Sequence, residues 1–176
     1  MGRDVKTSRG AWRVTWQELH VGYLHDVYLA LVRREIRPRS HWIAEFLPRS
    51  ATIVLEEPCL PGNVPLALAW DEESGWRCGA FVQGDLRCPT LLRQQNYFGG
   101  DVLPHPAEVG DTVIAIVERL SRPRRLWPSR SPDRRWGWPY PPAYRSYRDV
   151  DDGFDDRLRG HLPPDDPTLR AETHHA

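Results

Sequence analysis

At 176 residues the chain is about one domain long, on a scale of roughly 100–200 residues per domain. Lys+Arg and Asp+Glu balance at 24 each, 40% of residues are hydrophobic, and there are 17 Pro and 8 Trp. These values exclude, for the molecule as a whole, a polybasic nucleic-acid packer, an acidic solvating chain and a membrane protein.

The neutral total conceals opposed blocks: residues 1–121 carry −2, 122–148 carry +7 and 149–176 carry −5. A near-neutral body with a zwitterionic tail follows. Lys6 is the single lysine among the 24 basic residues, a skew we read as the codon bias of a GC-rich genome. Residues 1–12 read as a flexible N-terminus without the apolar run of a secretory signal, and Lys6 breaks the myristoylation pattern. The longest apolar run, Val113–Val117, is far short of the ~20 residues that span a bilayer. Three cysteines, an odd count without an export signal, point to reduced thiols and a soluble, cytoplasmic protein.

Taken in chain order, the first element is a helix near 15–36. Thr15-Trp-Gln-Glu18 fits a capping box, with Val14 and Leu19 at the staple positions. Leu24, Val27, Tyr28 and Leu31 form one apolar stripe, Arg33 and Arg34 suit the C-terminal end, and Pro38 stops it. Gly22 inside it costs about 1 kcal/mol relative to Ala. Thr52–Leu55 then reads as a short strand, and Val64, Leu66, Leu68 and Trp70 alternate at strand spacing. Asp71–Gly75 reads as a hairpin loop returning through Trp76–Gln83, and Gly84-Asp85 as a turn into Leu86–Arg93. A second helix starts at Pro106, buries Val109, Val113, Ile116, Val117 and Leu120, and stops before Pro123.

The expected class is α+β. A small antiparallel sheet of three to four strands carries two helices on one face, in the order α-β-β-β-α over residues 13–121. Beyond residue 121 the periodicity vanishes. Residues 122–176 hold nine of the 17 prolines and both charge blocks, the composition of a disordered tail or of weakly selected sequence.

Trp70-Asp-Glu-Glu-Ser-Gly-Trp76 spells a W-x-E-x-x-G-W hairpin, and Phe98-Gly-Gly-Asp-Val-Leu-Pro-His-Pro106 precedes an apolar helix. Over residues 66–121 this resembles the uncharacterised actinobacterial family of unknown function DUF6292, whose members carry L-G-G-D-x-x-P-x-P at the second motif. Phe98 replaces the aliphatic residue there. The resemblance implies the domain and its host, and no activity, cofactor or catalytic residue.

Several constellations carry chemistry. Asp71, Glu72 and Glu73 between Trp70 and Trp76, with Tyr97 and Phe98 nearby, form a candidate partner surface with an aromatic platform. The plainer alternative solvates the hairpin tip and buries an indole, and the exposure of Trp70 and Trp76 discriminates between the two. Gly99-Gly100 lacks the remaining glycines and the lysine of a phosphate cradle, and Asp101 and Glu108 would repel phosphate. Cys59, Cys78 and Cys88 lack a C-x-x-C hook, and His20 and His25 lie about 140° apart around a helix, so no metal site is expected. A Cys78/His105/Asp101 nucleophile is the one conceivable catalytic set.

The tail interleaves cations and aromatics: Arg124, Arg125, Trp127, Arg134, Arg135, Trp136, Trp138, Tyr140, Tyr144, Arg145 and Arg148. Guanidinium groups meet phosphates while rings stack on bases, the mode of single-stranded nucleic-acid binding.

The expectation for function is a non-enzymatic intracellular interaction or regulatory module with an unknown protein partner, no cofactor and no membrane contact. Nucleic-acid association through 122–148 is the runner-up, and a small enzyme at Gly99–His105 the third reading.

Overall fold

The computed structural model describes residues 15–60, 62–121 and 137–162, with backbone alone at 58 and 59. Its elements are α1 (His20–Val32), β1 (Pro38–Ile43), β2 (Ser50–Leu60), β3 (Val64–Asp71), β4 (Gly75–Gln83), β5 (Leu91–Tyr97), α2 (Pro106–Ser121) and α3 (Phe154–Arg159). The strands form one antiparallel sheet in the order β1-β2-β3-β4-β5. The class is α+β as expected, with five strands instead of three to four.

The additional strand is β1. Its sequence, Pro-Arg-Ser-His-Trp-Ile, has no apolar alternation because Arg39, Ser40 and His41 are exposed on an edge. Leu86–Arg93 is also corrected: pairing starts at Leu91, and the loop before it folds back on the sheet. There the Thr90 and Thr52 hydroxyls share a hydrogen bond, and the Glu45 N–H donates to the Leu86 carbonyl at 2.8 Å.

The helix expected near 15–36 opens as a single 3₁₀ turn, Trp16–Glu18, before α1 proper. The Glu18 carboxylate reaches back to the Thr15 N–H at 2.9 Å, and accepts the Thr15 hydroxyl as well. Its C-terminus closes without glycine. Glu35 takes a positive φ of 61°, so the Ile36 N–H reaches the Leu31 carbonyl at 3.1 Å and the Glu35 N–H that of Val32 at 3.0 Å.

The alternation along β3 separates two packed faces. Leu66, Leu68 and Trp70 join Ile53 and Leu55 of β2 beneath α1 and α2, against Tyr23, Leu24, Val27, Leu31, Val109, Val113 and Ile116. Ala67 and Ala69 point the other way, into a smaller cluster with Val54 and Leu92, closed by Trp42 and Phe81. Trp42 on β1 meets Phe81 on β4 with ring centroids 5.9 Å apart. Side chains separated by two intervening strands touch only if the sheet curls, and the small alanines leave room for that.

The expected division at residue 121 fails for residues 137–162. Phe154 and Leu158, one helical turn apart on α3, are 3% and 0% exposed inside the main core. Phe-x-x-x-Leu is a short apolar stripe, and α3 is stable because it lies on the body rather than alone. Residues 122–136 and 163–176, with the N-terminal 14, lie outside the described residues.

Candidate functional site

The hairpin tip is held from below. Asp71 accepts the backbone N–H groups of Glu73 and Ser74 at 3.1 and 2.7 Å, which forms the turn, and Gly75 closes it at a φ of +74°. A Cβ on Gly75 would lie 3.1 Å from the Val102 Cα, so the next loop also requires glycine there.

Glu72 between them is fully buried. Its carboxylate accepts the Arg49 backbone N–H at 2.8 Å and two guanidinium N–H groups at 2.8 and 2.6 Å. Arg49 is itself 2% exposed, and its guanidinium lies 4.5 Å from the centroid of Trp16. Arg145 adds a second cation to Glu72 at 3.2 Å, while Asp155 accepts from the same Arg49 Nη2 that binds Glu72, at 2.7 Å, and accepts the Trp16 indole N–H at 2.6 Å. Two arginines thus alternate with carboxylates in a dry cluster, each charge compensated by a neighbour.

Trp70 and Trp76 are 0% and 2% exposed. The aromatic platform is therefore corrected: both indoles are core, and Glu72 is an internal anchor. Trp70 donates its N–H to the Val102 carbonyl at 2.9 Å, and Trp76 donates to the Tyr23 hydroxyl, which donates to the Pro104 carbonyl, each at 2.9 Å. Tyr97 is buried and Phe98 half-buried, so neither forms an open patch beside the tip. Asp71 is held by Arg77, and the Glu73 carboxylate accepts the Tyr144 hydroxyl at 3.2 Å.

The loop carrying Gly99 to His105 is likewise tied down. Burial pushes the Asp101 carboxyl up, but Arg157 at 2.6 Å and the Leu103 N–H outweigh it and hold the group below its usual range. His105 accepts the Ala107 N–H through Nδ1 at 3.2 Å and opens α2. Burial pushes the Cys78 thiol up to about 12, away from the thiolate a nucleophile needs. Asp101 is paired with Arg157, His105 caps the start of α2 and Cys78 is a buried neutral thiol, so the features of a nucleophile set are not met. Gly99, at a φ of +89°, gives room to Trp138, whose indole nitrogen lies 2.9 Å from where a Cβ would stand.

Trp138 and Tyr97 exchange both backbone hydrogen bonds, at 2.8 and 2.9 Å, extending the β5 edge by one bridge. From there to Arg145, whose N–H donates to the Glu73 carbonyl at 3.0 Å, the chain runs across the edge of the hairpin. Trp138, Tyr140, Pro142 and Tyr144 face outward and the residues between them are half-buried. The three rings are 60%, 78% and 68% exposed. Arg148 is exposed beside Tyr147, whereas Arg145 is spent on Glu72 and Asp152. Arg124, Arg125, Trp127, Arg134, Arg135 and Trp136 lie outside the described residues, as does the Cys59 side chain.

The model of a family of unknown function, DUF6292, matches residues 23–115, more than half of the chain. The chain belongs to that family. No curated protein and no solved structure matches it. The DUF6292 region includes most of α1, the whole sheet and most of α2, an extent greater at its start than the 66–121 resemblance. Within it, the hairpin motif has a structural account: Trp70 and Trp76 hold the following loop, Glu72 holds Arg49, and Gly75 clears Val102.

Arg49, Tyr23 and the Phe154–Leu158 pair carry the cluster and were not singled out by sequence as site residues, while His20, weighed there only as a metal ligand, packs on Trp70. Only Phe154 and Leu158 left a signal, their i, i+4 spacing after Gly153.

Proposed function

We propose that this DUF6292 protein is a non-enzymatic interaction module, in which the sheet and helices are scaffold and residues 138–144 are the presented surface. The observation that carries this reading is the outward row Trp138, Tyr140 and Tyr144, pinned at one end to Tyr97 and at the other to Glu73. Pinning lowers the entropy lost when a partner binds, and Trp and Tyr are the side chains that dominate binding energy at protein interfaces. Pro139, Pro141 and Pro142 stiffen the row further. A protein partner suits the surroundings best, because Glu73 and Asp149 place negative charge near Tyr144 and Arg145 is already neutralised.

A second reading, single-stranded nucleic acid bound through 122–148, is favoured by the exposure of Trp138, Tyr140 and Tyr144, whose rings are free to stack on unpaired bases. The two readings separate in one experiment on full-length protein. A W138A/Y140A/Y144A variant is compared with wild type for capture of partners from native extract and for oligonucleotide affinity against salt. The interaction reading expects loss of a captured protein with weak, salt-labile oligonucleotide binding unchanged. Oligonucleotide affinity that falls with the three rings, at all salt concentrations, favours the second. Unchanged behaviour in both assays overturns the surface altogether.

A further inference from the structure

We propose that the face beneath residues 145–162 is a peptide-docking groove which this chain keeps filled with its own C-terminal strap. A partner segment of the same chemistry would displace the strap. The inference does not rest on the aromatic row, since the contacts involved belong to residues after Tyr144.

Three observations carry it. First, Tyr23, Arg49, Glu72 and Asp101, which form the groove wall, lie within residues 23–115, whereas the strap lies outside the matched region. Second, the strap inserts as a ligand does. Phe154 and Leu158 enter the core from one face of α3, Asp155 meets Arg49, Arg157 meets Asp101, and His161 meets Asp26 at 2.7 Å. This is the helix-in-groove mode, with apolar anchors four residues apart and charges at the rim.

Third, the fastening is uneven along its length. Phe154 and Leu158 are the fully buried apolar anchors and the Asp155–Arg49 and Arg145–Glu72 pairs lie deep, whereas the Arg157–Asp101 and His161–Asp26 pairs are partly open to water. Every ordered residue costs conformational entropy, so a segment held by two apolar anchors and a few ion pairs opens before a sheet whose central strand is buried on both faces. Opening would bare Trp16, Tyr23 and the Phe154 site between a cation, Arg49, and an anion, Asp101. The segment that fits carries an aromatic and a leucine at i and i+4, a carboxylate after the aromatic and an arginine before the leucine.

Gly22 supplies a selective lever. A Cβ there would lie 2.5 Å from the His161 carbonyl oxygen, so G22A must push the end of the strap away. Within α1 itself alanine is the better helix former, and the body is not weakened.

The test uses full-length wild type and full-length G22A, with a fluorescent peptide of the sequence 145–160 as probe, which ends before the His161 carbonyl that the added Cβ would meet. In native-state hydrogen exchange of the wild type, the amides of Arg145, Arg157, Gly160 and Leu162 are expected to exchange through an opening that leaves β2–β4 protected. The peptide is expected to bind G22A about tenfold more tightly than wild type, because a covered site reduces apparent affinity by the fraction of time it is open. A peptide with alanine in place of both Phe154 and Leu158 should not bind. Strap amides that exchange only together with those of β3 overturn the proposal, as does equal or absent peptide binding by the two proteins. A G22A dimer that the peptide fails to dissociate overturns it too, since a second copy is then the occupant.

Discussion

His20 lies against Trp70 with ring centroids 5.9 Å apart, is 2% exposed, and neither of its nitrogens has a hydrogen-bond partner among the described residues. Burial, reinforced by the Arg49 charge, pulls its pKa down to about 4. The folded protein therefore holds a neutral imidazole where the unfolded chain titrates near the ordinary value of about 6.5. Unfolding takes up a proton between those limits, so this contribution to stability is complete above pH 6.5 and is lost as pH falls toward 4. The loss amounts to about 3 kcal/mol over the whole window. His20→Phe should keep the stack and flatten the slope between pH 6.5 and 5, measured by urea denaturation at each pH. Asp101 and Asp152 act lower: both are held below the usual carboxylate range, so their contribution is present above about pH 4 and fades below it. Glu72 makes a different demand. Glu72→Ala leaves Arg49 buried beside one remaining carboxylate, and the expected cost is about 3–5 kcal/mol in denaturation midpoint analysis.

At the scale of elements, β3 and α3 should respond differently to the same kind of truncation. Leu68 sits in the strand buried on both faces, and Leu68→Ala should lower global stability by about 2–5 kcal/mol. Phe154 is nearly as well buried, but if the strap opens separately its truncation can cost no more than the strap's own docking energy. Phe154→Ala is thus expected to lower global stability less than Leu68→Ala, while speeding exchange of the Arg157 and Gly160 amides. Equal losses of global stability would mean that α3 unfolds with the sheet. The elements also show where pattern reading succeeded. α2 and the β3–β4 hairpin were legible because their apolar spacing matches the face they bury. β1 was not, because an edge strand exposed at Arg39, Ser40 and His41 has no apolar face to repeat.

For the whole molecule, the opposed charge blocks become physical contacts. Arg145 of the basic block meets Glu72 of the body and Asp152 of the acidic block, and Asp155 of the acidic block returns to Arg49 of the body. These pairs are short-range and largely dry, so salt should affect them less than it affects exposed pairs such as Arg87–Glu45. The aromatic row contributes little to the fold by comparison. The W138A/Y140A/Y144A variant should stay within about 1 kcal/mol of wild type in thermal or urea unfolding, which makes it a clean reporter for binding. No helix among the described residues is long and apolar enough to cross a membrane.

The sequence alone determined the α+β class, the positions of α1, α2 and the central hairpin, and the family signature at Trp70–Trp76. Each follows from local periodicity, turn chemistry or a short motif. Tertiary structure decided what that signature does. Burial of Trp70, Trp76 and Glu72 turned an apparent surface into an internal clasp, because Arg49 and Tyr23, distant in sequence, supply the partners that make burial affordable. It also decided that residues 137–162 belong with the body. Two apolar side chains in a charged, proline-rich stretch carry too weak a period to read, and their value depends on a site whose wall includes Trp16, Tyr23 and Arg49, more than a hundred positions away.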